Sequence, residues 1–160
     1  MMDMRVGFGY DVHQLKEDIP FVLGGIPVPH IKGALAHSDG DVLIHAICDA
    51  MLGAANLRDI GFHFPDTSVE FEQIDSKKLL RRTLGLIAER GYRIMNVDTT
   101  VCLQKPKIKD LVPKMQIVLA EVLSIDIDRV SIKATTTEKL GFVGREEGVA
   151  AYAVVLLMRD

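Results

Sequence analysis

Apolar residues along this chain switch their spacing several times, and that switching constrains the fold more tightly than any single motif. Across residues 5–10 they alternate: Val6, Phe8 and Tyr10 fall on one side, Gly7 and Gly9 on the other, with Asp11 next in that second row, as a half-buried strand ending near there requires. Residues 21–28 read as a second extended region, broken into a hairpin by Gly24 and Gly25. From 41 to 55 the period becomes helical, with Ile44, Ile47 and Met51 on one face and Ala46, Ala50 and Ala54 small enough for close packing. A second helix is predicted from Ser76, taken as its N-cap, through Leu80, Leu84 and Ile87 to a stop at Gly91. Extended residues follow over 94–103. A third helix covers 111–123, with Pro113 in the tolerated first turn. Residues 130–135 alternate again, whereas 149–157 are nearly all apolar and predict a strand buried on both faces.

Strand, hairpin, helix, helix, strand, helix, strand, strand is the order of an α+β fold. Each amphipathic helix needs an apolar sheet surface to cover, so the expected architecture is a two-layer α/β sandwich, a mixed sheet with helices on one face. No repeat or linker divides the 160 residues, which predicts one domain over 1–160. The formal charge of -3 carries no long basic run, so neither nucleic acid nor an anionic membrane is an expected partner. The most apolar stretch, 148–158, falls far short of the roughly 20 residues of a spanning helix. The start has no cationic segment leading into an apolar block, so a cytoplasmic protein is expected, with Cys48 and Cys102 as free thiols.

Several residues carry chemistry. Asp11 and His13 are two apart on a strand and project to the same side, with Val12 turned away. The first helix offers Asp41, His45 and Asp49 at i, i+4 and i+8. His45 would complete a set of one carboxylate and two imidazoles, which suits zinc and leaves a fourth tetrahedral position open. Hydrogen-bonded structural histidines are the competing reading, and Asp41 and Asp49 would at most orient the imidazole from behind. His37, Ser38, Asp39, Gly40 and Asp41 precede that helix; Ser38 or Asp39 could cap it, its amides could hold a phosphate, and His37 could donate to that phosphate or face water. Lys133 to Lys139 place hydroxyls and Glu138 at a strand end before a glycine-rich turn, Gly141 to Arg145; Glu138 suits a hard cation such as magnesium. Gln104, Lys105, Pro106 and Lys107 form a loop able to wrap a ligand with backbone groups. Lys77, Lys78, Arg81 and Arg82 read as a solvated helix face.

Gly9-Tyr10-Asp11-Val12-His13, Ala36-His37-Ser38-Asp39-Gly40-Asp41 with His45, Asp59-Ile60-Gly61, Phe64-Pro65-Asp66-Thr67, and the segment from Lys133 through Gly144-Arg145 occur in one order and spacing. Together they resemble the 2-C-methyl-D-erythritol 2,4-cyclodiphosphate synthase family across nearly the whole chain. The resemblance implies cyclisation of 4-diphosphocytidyl-2-C-methyl-D-erythritol 2-phosphate with release of CMP, in the non-mevalonate route to isoprenoids. It further implies a homotrimer with sites between subunits. Asp11, His13 and His45 would hold zinc, Glu138 would help hold magnesium or manganese, and His37 and Thr136 would steady the transition state. Asp59, Gly61, Phe64, Pro65, Asp66, Thr67 and Ser68 would contact the methylerythritol portion, and Val12, Ser38 and Ile60 would also bind the substrate. Leu103, Gln104, Lys105, Pro106, Lys107, Ile108 and Lys109 would clasp the cytidine diphosphate together with Thr135, Thr136 and Thr137, and Phe142 and Arg145 would complete the site. Two other functions fit the same ligand types: a zinc-dependent phosphohydrolase, in which water attacks a phosphate ester, and a non-enzymatic binding protein whose metal only stabilises the assembly.

Overall fold

The first strand runs further than its sequence pattern predicts. In the computed structural model, which describes residues 2–159, β1 spans Asp3–Glu17, so Asp11 and His13 sit within it rather than at its end. Pairing extends it: β7 (Gly148–Arg159) lies antiparallel alongside from Asp3↔Arg159 to Gln14↔Gly148, and β4 (Lys32–Leu35) pairs with Gln14 to Glu17. The sheet order is β4-β1-β7-β5-β6, where β5 (Arg93–Cys102) is antiparallel to β7 and parallel to β6 (Val130–Thr135). This is the mixed sheet expected. β2 (Val22–Leu23) and β3 (Ile26–Pro27) form a separate hairpin whose turn, Gly24 and Gly25, has φ of +59° and +78°, a two-residue turn that glycine adopts without strain.

The helices are α1 (Val42–Ala54), α2 (Ile60–His63), α3 (Ser76–Glu89), α4 (Val112–Leu123) and α5 (Gly141–Gly144). α1 lies on β1 and β7, α3 packs on α1, and α4 packs on α3 and β6. Contact between α1 and β1 is backbone to backbone. A Cβ added at Gly7 would lie 1.8 Å from the Ala50 carbonyl oxygen, and one at Gly9 would lie 1.9 Å from that of Ala46. With no side chain on the strand and only methyl groups on the helix, the two elements approach until His45, next to Ala46, stands over Asp11 and His13.

β7 departs from its predicted burial. Val149, Ala151, Ala153, Val155 and Leu157 point under the helices, but Tyr152 and Val154 are 39% and 40% exposed, because among the described residues no helix covers the second face. The caps differ too. α3 is capped by Asp75, whose carboxylate accepts from the Lys77 N–H, and Ser76 is its buried first residue. α1 is capped by neither Ser38 nor Asp39 but by Asp41, which accepts from the N–H groups of Ile44 (3.1 Å), Gly24 (3.0 Å) and Gly25 (2.6 Å). Burial pushes the Asp41 carboxyl up from its ordinary pKa, and those amides oppose the rise. Asp41 therefore joins the hairpin to the helix and does not orient His45. The glycine-rich segment predicted as a turn includes the single helical turn α5. Among the described residues, no helix is long and apolar enough to cross a membrane.

Candidate active site

Asp11 and His13 leave β1 on the helix-covered side, and α1 brings His45 to meet them. Asp11 Oδ2 lies 3.0 Å from His13 Nε2 and 3.1 Å from His45 Nδ1, and the two nitrogens are 3.1 Å apart. Ligands at zinc's ordinary bond lengths of about 2.0–2.1 Å in a tetrahedron stand about 3.3 Å from one another, so this triangle needs only a slight opening to hold an ion. Burial penalises the Asp11 carboxylate, yet the imidazoles of His13 and His45 packed against it hold it far below the usual carboxylate range. The three residues form a metal-binding group. Val12 points to the opposite face and is 41% exposed.

The group borders a cavity of about 410 Å3 whose walls include His37, Ser38, Ile60, Gly61, Phe64 and Asp66, residues predicted for the site. Phe71, Ile74 and Leu79 add an apolar side that the motifs did not indicate. The ring of His37 donates through Nε2 to the Ser68 carbonyl (3.0 Å), which ties the loop before α1 to the loop after α2. Asp59 caps α2 by accepting from the Phe62 N–H. Pro65 and Thr67 are exposed in the same loop. Three of the amides around that helix start are engaged within the chain: Gly40 N–H donates to Ser38 Oγ, Asp41 N–H to Asp39, and Ile44 N–H to Asp41. That helix end already faces the capping carboxylate of Asp41. Asp49 accepts from the Ile60 N–H and so supports α2 rather than the imidazole.

A second, smaller hollow of about 130 Å3 gathers Leu103, Pro106, Lys107, Ile108 and Lys109 with Thr135 and Thr136. Gln104 accepts from the Lys139 N–H, and Lys105 pairs with Glu146 at 3.0 Å. Thr137 donates to the Leu140 carbonyl. Glu138 (φ +53°) and Lys139 (φ +65°) are consecutive left-handed residues, a strained arrangement of the kind found where a backbone must present groups to a ligand. Among the described residues, Glu138 does not join the metal-binding group. The second hollow belongs to β5 and β6, two and three strands from β1, so the groups lie on the order of 10–14 Å apart across the sheet. One chain thus gathers the predicted residues into two separate groups rather than one. Phe142 packs beside Gly148, next to the strand partner of His13, while Arg145 is bound to Glu147 in two hydrogen bonds of 3.1 and 3.0 Å. Lys78, Arg81 and Arg82 are exposed as expected, but Lys77 reaches the Gly25 carbonyl.

Asp39 and Ser76 were not read as parts of this site. Ser76 touches His45 Nε2 at 2.9 Å and donates to Asp39. The one sequence signal is a serine on the buried, mostly apolar row formed with Leu79, Leu80, Thr83 and Ile87.

A model of the YgbB family matches residues 4–158. A protein of Bacteroides fragilis named 2-C-methyl-D-erythritol 2,4-cyclodiphosphate synthase is 63% identical over 158 residues, 99% of each chain. Among solved structures, the bifunctional IspDF of Campylobacter jejuni superposes with a TM-score of 0.96 at 43% identity; it covers all of this chain, which spans 43% of that one. A CDP complex of IspF from Plasmodium falciparum superposes with a TM-score of 0.86 at 36% identity, over 98% of this chain and 97% of its own.

Proposed function

Because the chain belongs to the YgbB family along nearly its whole length, we propose that it is a 2-C-methyl-D-erythritol 2,4-cyclodiphosphate synthase, a phosphorus-oxygen lyase of isoprenoid biosynthesis. It cyclises 4-diphosphocytidyl-2-C-methyl-D-erythritol 2-phosphate. An oxygen of the 2-phosphate attacks the β-phosphorus, the bond from that phosphorus to the α-phosphate oxygen breaks, and CMP leaves. The single observation that carries this reading is the Asp11, His13 and His45 group at the mouth of a cavity walled by His37, Ser38, Gly61 and Asp66.

A phosphate monoester has its second pKa near 6 and is mostly a dianion at neutral pH, so the nucleophile needs no strong base. What remains is charge repulsion and ring closure. Asp11, His13 and His45 hold zinc, and Glu138 helps hold magnesium or manganese; when bound, these cations supply positive charge against the crowded phosphate oxygens. His37, already oriented by Ser68, and Thr136 steady the transition state with hydrogen bonds. The loops bearing Ser38, Asp59, Ile60 and Gly61, and Phe64 to Ser68, position the methylerythritol portion and keep water from the reacting phosphorus. Leu103 to Lys109 with Thr135 to Thr137 clasp the cytidine diphosphate, a role supported by the CDP bound in the Plasmodium relative.

The active form is a homotrimer with sites between subunits. Two features support it: the two groups of site residues stand apart within one chain, and the open sheet face exposes Val6, Phe8, Tyr10, Tyr152 and Val154 side by side. A reducing cytoplasm suits the free Cys48 and Cys102. Mass spectrometry after incubation with substrate, zinc and magnesium tests the chemistry: a cyclic diphosphate plus CMP is expected, whereas a linear hydrolysed product would make the protein a zinc phosphohydrolase. Asp11→Asn and His45→Ala should each lower turnover at least about a thousandfold, about 4 kcal/mol in barrier, with bound zinc lost and the fold retained by circular dichroism. Normal turnover and zinc content in both would remove the metal assignment.

A further inference from the structure

His45 is held from behind as well as in front. Its Nδ1 faces Asp11 and His13, and its Nε2 lies 2.9 Å from Ser76 Oγ and 3.2 Å from Ser38 Oγ. Ser76 is fully buried, and its hydroxyl donates in a short hydrogen bond to Asp39 Oδ1. A serine has one hydroxyl hydrogen. Since Asp39 takes it, the Ser76 oxygen faces the imidazole with lone pairs alone and can only accept from it. The Asp39 carboxylate is itself fixed by two further donors, the Asp41 N–H at 3.2 Å to Oδ1 and the Ser76 N–H at 3.0 Å to Oδ2. It therefore bridges the loop before α1 and the first turn of α3.

We infer that Asp39 and Ser76 are positioning residues that lock His45 in its Nε2–H tautomer, so that Nδ1 presents a lone pair to a metal ion. The direction of each proton follows from the carboxylates, which only accept: Asp39 takes the Ser76 hydrogen, and Asp11 takes the His13 Nε2–H, a hydrogen that also faces the His45 Nδ1 lone pair, the two nitrogens being 3.1 Å apart. Partial negative charge passed along this chain makes Nδ1 a stronger donor to a cation. Ser38 is the lesser acceptor, farther from Nε2 and already receiving the Gly40 N–H at 3.2 Å. The inference rests on the proposed metal role of His45, and the experiment separates failure of one from failure of the other.

Nitrogen-15 histidine spectra of the metal-free full-length protein at pH 8 read the tautomer without any metal. Wild type should show His45 as Nε2–H. Ser76→Ala removes the acceptor, and Asp39→Asn places an amide donor near Ser76, which turns the serine hydroxyl towards Nε2; each should shift His45 towards Nδ1–H. Zinc affinity by chelator competition should fall about 10- to 100-fold in either variant, and the double variant should be no weaker than the worse single one. At saturating zinc, kcat should recover most of its loss with KM unchanged. Should Ser76→Ala fail to fold, Asp39→Asn alone carries the test. A wild-type His45 in the Nδ1–H form, or zinc affinity within about twofold of wild type in the folded variants, overturns the inference; a purely structural bridge would lower Tm and move neither reading. Wild-type protein that binds no zinc would instead refute the metal role, and the tautomer spectrum would still decide the relay.

Discussion

The two faces of the sheet are built from the same strands and differ in what completes them. Beneath the helices, the rows Gly7–Val155–Val97 and Gly9–Ala153–Thr99 are small or apolar, and α1 fits them so closely that a single methyl group has no room. On the other side, Val6–Leu156–Asn96, Phe8–Val154–Asp98 and Tyr10–Tyr152–Thr100 run from apolar at β1 and β7 to polar at β5, and no element among the described residues covers them. Tyr152 touches both neighbours, with ring centroids 6.2 Å from Phe8 and 5.0 Å from Tyr10. The covered face is satisfied by its own chain and brings the metal-binding group together. The open face is left apolar and bare by the described residues, and the proposed trimer is what would cover it and complete the second group of site residues.

The sharpest way to break this contrast is to give the covered face a side chain. Gly9→Val sets branched carbons against the Ala46 carbonyl and should destabilise by more than about 4 kcal/mol, read as loss of the cooperative unfolding transition or of soluble protein. A stable, zinc-binding Gly9→Val would show that α1 is free to move off the strand. The same violence on the open face should spare the protomer. Phe8→Glu with Val154→Asp puts two carboxylates in one cross-strand row beside Asp98; sedimentation should show monomers of native circular dichroism whose turnover falls at least about tenfold. Trimers that persist with full activity would mean that this face is not the interface.

Asp41 refines the comparison within the covered layer. Removing its carboxylate leaves the buried amides of Gly24, Gly25 and Ile44 without their acceptor, so Asp41→Ala should cost about 2–4 kcal/mol in urea unfolding, with zinc affinity nearly unchanged. The smallest effect concerns Cys48, whose thiol burial pushes up to about 12 from an ordinary 9.0. Unfolded chains lose this proton first as pH rises, so the contribution is complete below pH 9 and declines from there towards 12. Relative to Cys48→Ala, the wild-type urea midpoint should fall more steeply from pH 9 to 10.5. Parallel midpoints would place Cys48 nearer to water than the covered layer allows.

Legibility followed the range of the interactions. α1 and β6 were readable almost to the residue, because helical and alternating periods are local and each element has one buried side. β4 was not, since Lys32, Gly33, Ala34 and Leu35 show no period and become a strand only by pairing with β1. The ligand triad was readable as residue types at meaningful spacing. Asp39 and Ser76 were not, because 37 residues separate them and nothing local marks a hydrogen bond that long-range packing creates.

The order of the longer strands and helices, the small residues on the first strand and first helix, and the residues able to bind a metal were written in the chain, because each depends on period, size or ligand chemistry. Tertiary structure alone decided which face of β7 stayed bare, which carboxylate capped α1, and why the predicted site residues divide into two groups. Those outcomes turn on which distant groups reach one another once the sheet is assembled, and burial, hydrogen bonding and strand spacing settle that only in three dimensions.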